Sequence, residues 1–175
     1  MKRALIVIDV QESFRALPSW DEIGNPKIAE PVNRLVRLAR ARGDLVVWVL
    51  HAEAGSGNAF DPANGHVRLM DEVERPLPGE PALRKTSHNA FTTTNLQQLL
   101  TEAGVTELAV CGIRTEQCVE TTARVGSDFG YQVLFVTDAT TTGPVGGFTA
   151  EEIVARTEAV LRDRFARIVT VAELE

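Results

Sequence analysis

The run Ala4-Leu5-Ile6-Val7-Ile8, closed by Asp9, decides the fold. Consecutive apolar residues with no polar alternation fit a strand buried on both faces, as central strands of parallel sheets are. Leu45-Val46-Val47-Trp48-Val49-Leu50 repeats the pattern. Residues 108–113, 132–136 and 167–171 supply three more strands, and the segment near Leu83 a short sixth. Amphipathic stretches separate them. Ile28, Val32, Leu35, Val36 and Leu38 mark one face of a helix over 28–42 that stops at Gly43. Helices are likewise predicted over 94–103, stopping at Gly104, over 115–129, stopping at Gly130, and over 151–164, entered through Thr149 as N-cap. This alternation predicts an α/β protein: a three-layer α-β-α sandwich with a mainly parallel, Rossmann-like sheet of about six strands, in one domain spanning 1–175.

Composition narrows the function classes. Eighteen basic residues against 24 acidic ones give a net charge of −6 with no basic cluster, which disfavours nucleic acid and anionic membranes as partners. No apolar stretch approaches the roughly 20 residues that cross a bilayer. The opening MKRALIVIDV has an apolar run of only about five residues, ending at Asp9 rather than at a cleavage site, so it reads as a strand and the expected setting is the cytoplasm. Two cysteines, Cys111 and Cys118, are too few for a disulfide framework. No G-x-G-x-x-G follows the first strand, and no cofactor is expected.

Ligands of open parallel sheets bind beyond the carboxyl ends of the strands, which directs attention to Asp9, Lys85 and Cys118. Taken singly each has a plain structural reading: Asp9 as a turn residue, Lys85 as a solvated lysine, Cys118 as a small buried hydrophobe. Cys118 lies early in a predicted helix capped by Thr115, where unpaired N–H groups favour a thiolate. Gln11 and His51, at the ends of the first two strands, reach the same rim; Phe14, Trp20 and Phe60 could line an apolar pocket, although aromatics flanking a strand are more often core. The stretch 52–81 holds Gly55, Gly57, Pro62, Gly65, Pro76, Pro78, Gly79 and Pro81 with no long periodicity, and is expected to form a wall or lid over the site.

Three segments together go further: Asp9-Val10-Gln11-Glu12-Ser13-Phe14, Arg84-Lys85-Thr86 with Asn89-Ala90-Phe91, and Gly112-Ile113-Arg114-Thr115-Glu116-Gln117-Cys118-Val119. Over nearly the whole chain they resemble the isochorismatase-like cysteine hydrolases, which include nicotinamidases, carbamoylsarcosine amidases and ureidoacrylate hydrolases. A further match, Gly130-Tyr131 leading to Val136-Thr137-Asp138-Ala139, is structural in that family. The resemblance implies the isochorismatase-like hydrolase fold, with Cys118 as nucleophile, Asp9 as its base and Lys85 as the cation facing the thiolate. It implies a cis peptide between Ile113 and Arg114, and an oxyanion hole from the backbone N–H groups of Arg114 and Cys118. Gln11, Phe14, His51 and Ile113 are the candidate substrate-binding residues. The implied partner is a small-molecule substrate, and the implied assembly a dimer or tetramer.

The expected reaction is hydrolysis of a C–N bond (amide, carbamoyl or ureido) of a small molecule through a thioester. The alternatives are vinyl-ether hydrolysis of the isochorismatase type, whose members often lack the cysteine present here, and a non-catalytic binding protein on the same fold. Metal-dependent nicotinamidases carry Asp-x-His after the second strand, whereas this chain has His51-Ala52-Glu53 and a later His66, so no metal is expected.

Overall fold

The computed structural model describes residues 2–175. Six parallel strands, β1 (Arg3–Ile8), β2 (Leu45–His51), β3 (Ala82–Lys85), β4 (Glu107–Ile113), β5 (Gln132–Thr141) and β6 (Arg167–Val169), form one sheet in the order β3-β2-β1-β4-β5-β6. Six helices accompany them: α1 (Glu12–Arg15), α2 (Ala29–Arg42), α3 (Leu96–Glu102), α4 (Glu120–Asp128), α5 (Ala150–Leu161) and α6 (Val171–Leu174). The three-layer expectation holds, and the sheet is parallel throughout.

Strand alternation divides the core in two. Leu5, Val7, Val46, Trp48, Ala109 and Leu134 face α2 and α6, while Ile6, Ile8, Val47, Val110 and Phe135 face α3, α4 and α5. Both faces being covered explains why these strands read as unbroken apolar runs. The chain winds outward from β1 to β3, then crosses back to β4 beside β1. That crossing is the switch point, where the strand ends diverge and leave a crevice.

β4 approaches β1 so closely that a Cβ on Gly112 would stand 1.8 Å from the Ile8 carbonyl oxygen, and Gly112 has φ +129°. Glycine is therefore required there. The β4–β5 register shifts between Val110 and Gly112, and β5 runs on to Thr141, beyond the predicted end at Val136. β6 ends at Val169, short of the predicted 171, because Thr170 starts the unforeseen α6 with a capping box to Glu173. Thr149 caps α5 as expected, its hydroxyl accepting from the Glu152 N–H while Glu152 reaches back.

Thr115 departs from expectation. It does not cap a helix: Arg114 is the extended residue that opens a π-helical turn over Thr115–Val119, with the Val119 N–H bonded to the Arg114 carbonyl at 3.2 Å. The Thr115 hydroxyl instead donates to Thr140 Oγ1 of β5 at 2.9 Å, and α4 follows the wide turn. Among the described residues no helix is long and apolar enough to cross a membrane.

Candidate active site

Asp9 follows β1 with φ +53°, a left-handed conformation that aspartate tolerates better than most residues. Its N–H bonds the Val49 carbonyl at 2.8 Å, and its own carbonyl accepts from the Gln11 N–H at 2.9 Å. The tight turn leaves the carboxylate wholly buried over the crevice. Lys85 is the last residue of the edge strand β3 and is also fully buried. Cys118 sits in the π-helical turn after β4, so three chain-distant segments meet at the switch point.

The ammonium of Lys85 organises the group. It lies 2.8 Å from Asp9 Oδ2 and donates to the Ser87 carbonyl at 3.1 Å, to His51 Nδ1 at 3.2 Å and to Cys118 Sγ at 3.3 Å. The Asp9 contact is the shortest of the four and pairs two fully buried charges. Burial raises the Asp9 carboxyl above its ordinary value of 3.8, against the pull of Lys85. The Cys118 thiol is pushed up to about 12, first by burial and then by the Asp9 charge, with Lys85 opposing. Burial and the Asp9 charge thus oppose the thiolate that Lys85 favours. Cys111 lies wholly inside β4, where burial alone raises its thiol, and both cysteines are free.

A cavity of 290 Å³ opens onto Cys118, lined by Asp9, His51, Glu53, His88 and Arg114 among polar groups and by Phe14, Leu17 and Phe60 among apolar ones. Phe14 and Phe60 meet edge to face at 5.1 Å, and Phe60 also packs its edge against His51. Phe14 and His51 therefore stand where the sequence put them. Gln11 and Ile113 do not. Gln11 is fully buried and clamps the end of β2, accepting from the His51 N–H at 2.8 Å and donating to the His51 carbonyl at 3.0 Å and to Ser13 Oγ at 2.8 Å. With both ends of its amide engaged it has nothing to offer a substrate. The Ile113 side chain belongs to the core facing α2 and does not line the cavity. Trp20 also stays off the cavity, packed against the same core under Arg15.

The peptide between Ile113 and Arg114 is cis, at the expected position. Sequence reasoning missed His88, whose ring stacks over His51 at 6.5 Å; its only signal was its place three residues after Lys85. It also missed Leu17, Gln117 and the side chain of Arg114. Part of the stretch 52–81 forms a wall of the cavity. Glu53 and Phe60 line the cavity, and Arg40 of α2 grips Glu74 and Glu80, with Trp48 Nε1 donating to Glu80 at 2.8 Å.

His51 is bound on both sides. Nδ1 accepts from Lys85, which has no lone pair, so the ring carries its proton on Nε2 and donates it to Glu53 Oε1 at 3.0 Å. Asn58 Nδ2 donates to the other Glu53 oxygen at 2.7 Å, and these two bonds hold the Glu53 carboxyl below its ordinary value. A divalent ion does not fit this arrangement. Both ring nitrogens of His51 are committed, and no cluster of three ligating side chains exists among the described residues.

Comparison with known proteins shows the family. A model of the isochorismatase domain matches residues 3–173. The chain is 30% identical over 178 residues to an uncharacterized isochorismatase family protein, YrdC, of Bacillus subtilis, covering 99% of this chain and 94% of that one. It is 38% identical over 139 residues to a streptothricin hydrolase of Streptomyces noursei; the match takes in 78% of this chain but only 53%, about half, of that protein. Nicotinamidase 3 of Arabidopsis thaliana is 30% identical over 151 residues, 79% of this chain and 73% of its own. The crystal structure of an isochorismatase from Pseudomonas putida superposes with a TM-score of 0.86 at 31% identity, covering 99% of this chain and 90% of that one. With sheet order, strand-end residues and these likenesses in agreement, the chain belongs to the isochorismatase-like hydrolase family.

Proposed function

We propose that the chain hydrolyses a C–N bond, of the amide, carbamoyl or ureido kind, in a small molecule through a thioester on Cys118. The observation that carries this reading is the meeting of a buried carboxylate, ammonium and thiol around Lys85 Nζ, at the floor of a cavity sized for a small molecule. A scaffold has no use for that combination of charges at the cost of burying them.

In this reading Asp9 takes the thiol proton as Sγ attacks the carbonyl carbon. A thiol held near 12 does not ionise beforehand, so proton transfer accompanies attack. A carboxyl raised by burial is the better base for that task. The oxyanion is met by the backbone N–H groups of Arg114 and Cys118, and Lys85 offsets the growing negative charge. Asp9 then gives its proton to the leaving nitrogen, which departs as an amine or ammonia. Water, deprotonated by Asp9, attacks the thioester, and the acid leaves with Cys118 restored. Phe14, Leu17 and Phe60 shield the acyl group from bulk solvent. The names of relatives such as nicotinamidase 3 and a ureidoacrylate amidohydrolase favour C–N chemistry over vinyl-ether cleavage.

The test is a screen of primary amides, ureas and carbamoyl compounds for ammonia release, with mass spectrometry of the enzyme during turnover. Ammonia release that Cys118→Ala abolishes, with an acyl mass on the peptide bearing Cys118, is the expected result. Turnover that survives Cys118→Ala overturns it.

A further inference from the structure

The cavity over Cys118 carries a cation whose charge the reaction above does not use. Of the other charged groups lining it, Asp9 is paired with Lys85, and Glu53 presents one oxygen to His51 Nε2 and the other to Asn58 Nδ2. Arg114 has no such partner. Among the described residues it forms no ion pair, whereas Arg15, Arg40, Arg124 and Arg156 each hold a carboxylate. Its guanidinium makes one side-chain hydrogen bond, from Nη2 to Ser19 Oγ at 3.2 Å, on the 3₁₀ turn Pro18–Glu22. Nη1 lies toward Gly143, which has no side chain to cover it. A guanidinium is a planar fork of five N–H donors, so most of this one is left for another acceptor. A surface arginine would leave those donors to water. Arg114 is half-buried on the wall of the cavity that holds the nucleophile.

We propose that Arg114 is a specificity residue: its guanidinium takes a carboxylate of the substrate. The compounds cleaved are then small acids, with the scissile amide, carbamoyl or ureido group at one end and a carboxylate at the other. The proposal rests on the hydrolase reading above and names its substrate class. Arg114 performs two separate tasks in it. Its main-chain N–H is assigned to the oxyanion and its side chain to the far end of the same molecule, so the backbone task survives a change of side chain. Parallel N–H donors match the two oxygens of a carboxylate, fixing orientation as well as charge. A protein of net charge −6 repels anions at a distance, so any preference for an acid has to be built locally. Phe14, Leu17 and Phe60 suit a short apolar stretch between the two ends, and 290 Å³ is at the small end of ligand cavities.

The experiment labels Cys118 in the whole protein with two iodoacetyl reagents of one shape: N-iodoacetyl-β-alanine, which is anionic, and its amide, which is neutral. Label is followed by mass on the peptide bearing Cys118, at a single pH, so that the ionisation of the thiol cancels in the ratio of the two rates. Relative to the ratio for glutathione, wild type is expected to favour the anionic reagent about tenfold, the value of one charge-assisted pair. Arg114→Met should bring the ratio down to that of glutathione, and Arg114→Lys should keep part of the preference. Ser19→Ala removes only the hydroxyl tie and should leave the wild-type ratio. A fall in Ser19→Ala equal to that in Arg114→Met would mean that the arginine merely holds the turn, and overturns the proposal. So does a wild-type ratio no higher than that of Arg114→Met. In turnover, Arg114→Met should raise KM for a carboxylate-bearing substrate far more than it lowers kcat. Because labelling needs no turnover, failure of the hydrolase reading would be seen separately, as an intact preference for the anionic reagent in a protein that releases no ammonia.

Discussion

At Lys85 the ordinary rule for lysine is reversed: a residue that is rarely buried sits without solvent contact, because Asp9 shares its burial. Removing one partner should therefore cost far more than removing both. Lys85→Met is expected to lose about 3–5 kcal/mol by leaving an unpaired buried carboxylate, and adding Asp9→Asn should recover most of that loss in chemical denaturation. Cys118 should separate nucleophilicity from turnover. Its thiol is raised by burial and by Asp9 and lowered by Lys85, so alkylation by iodoacetamide at neutral pH should be slow in wild type and slower in Lys85→Met. In Asp9→Asn it should be faster, although turnover falls because no base remains; equal rates in all three would show that neither charge reaches the sulfur. The three residues were legible as strand-end polar groups, and their roles only through the family resemblance. Gln11 was misread because it occupies a strand end as they do; its commitment to the backbone of residue 51 is a tertiary fact that no local pattern carries.

Elements with long periodic runs were legible, and those whose form depends on a neighbour were not. The apolar runs of β1, β2 and β4 and the helical face of α2 lie within a residue or two of expectation, since their burial is written in composition. α1 and α6, at four residues each, are too short to show a period. The π-helical turn was invisible because the Thr115 hydroxyl chooses Thr140, twenty-five positions away, over the helix that follows. Two substitutions probe these elements. Gly112→Ala would set a methyl against the Ile8 carbonyl at the left-handed φ of that residue, and a loss of about 3 kcal/mol or more in denaturation is expected. Thr149→Ala removes the hydroxyl of a capping box and should cost only about 1 kcal/mol, with kcat unaltered.

For the molecule as a whole, the order of the strands was not legible, because periodicity shows which segments are buried but not their neighbours. Nor was the surface: Val145 and Phe148, 47% and 62% exposed on the turn before α5, edge an apolar hollow with Ile153 and Ala155. That hollow is the candidate contact for the dimer or tetramer the resemblance implies. Light scattering should find an oligomer that Phe148→Asp weakens; a monomeric wild type removes the reading. The sheet order has one more consequence. Asp9 and Cys118 issue from β1 and β4 at the centre, but Lys85 comes from β3, a four-residue strand at the margin with a single strand neighbour. Marginal strands open by local fluctuation well below the free energy of global unfolding. Amides of β3 should therefore exchange with deuterium sooner than those of β1, and mild urea should silence the enzyme reversibly while circular dichroism still reports an intact protein. The margin of the sheet, not its core, would then set the conditions under which the catalyst survives.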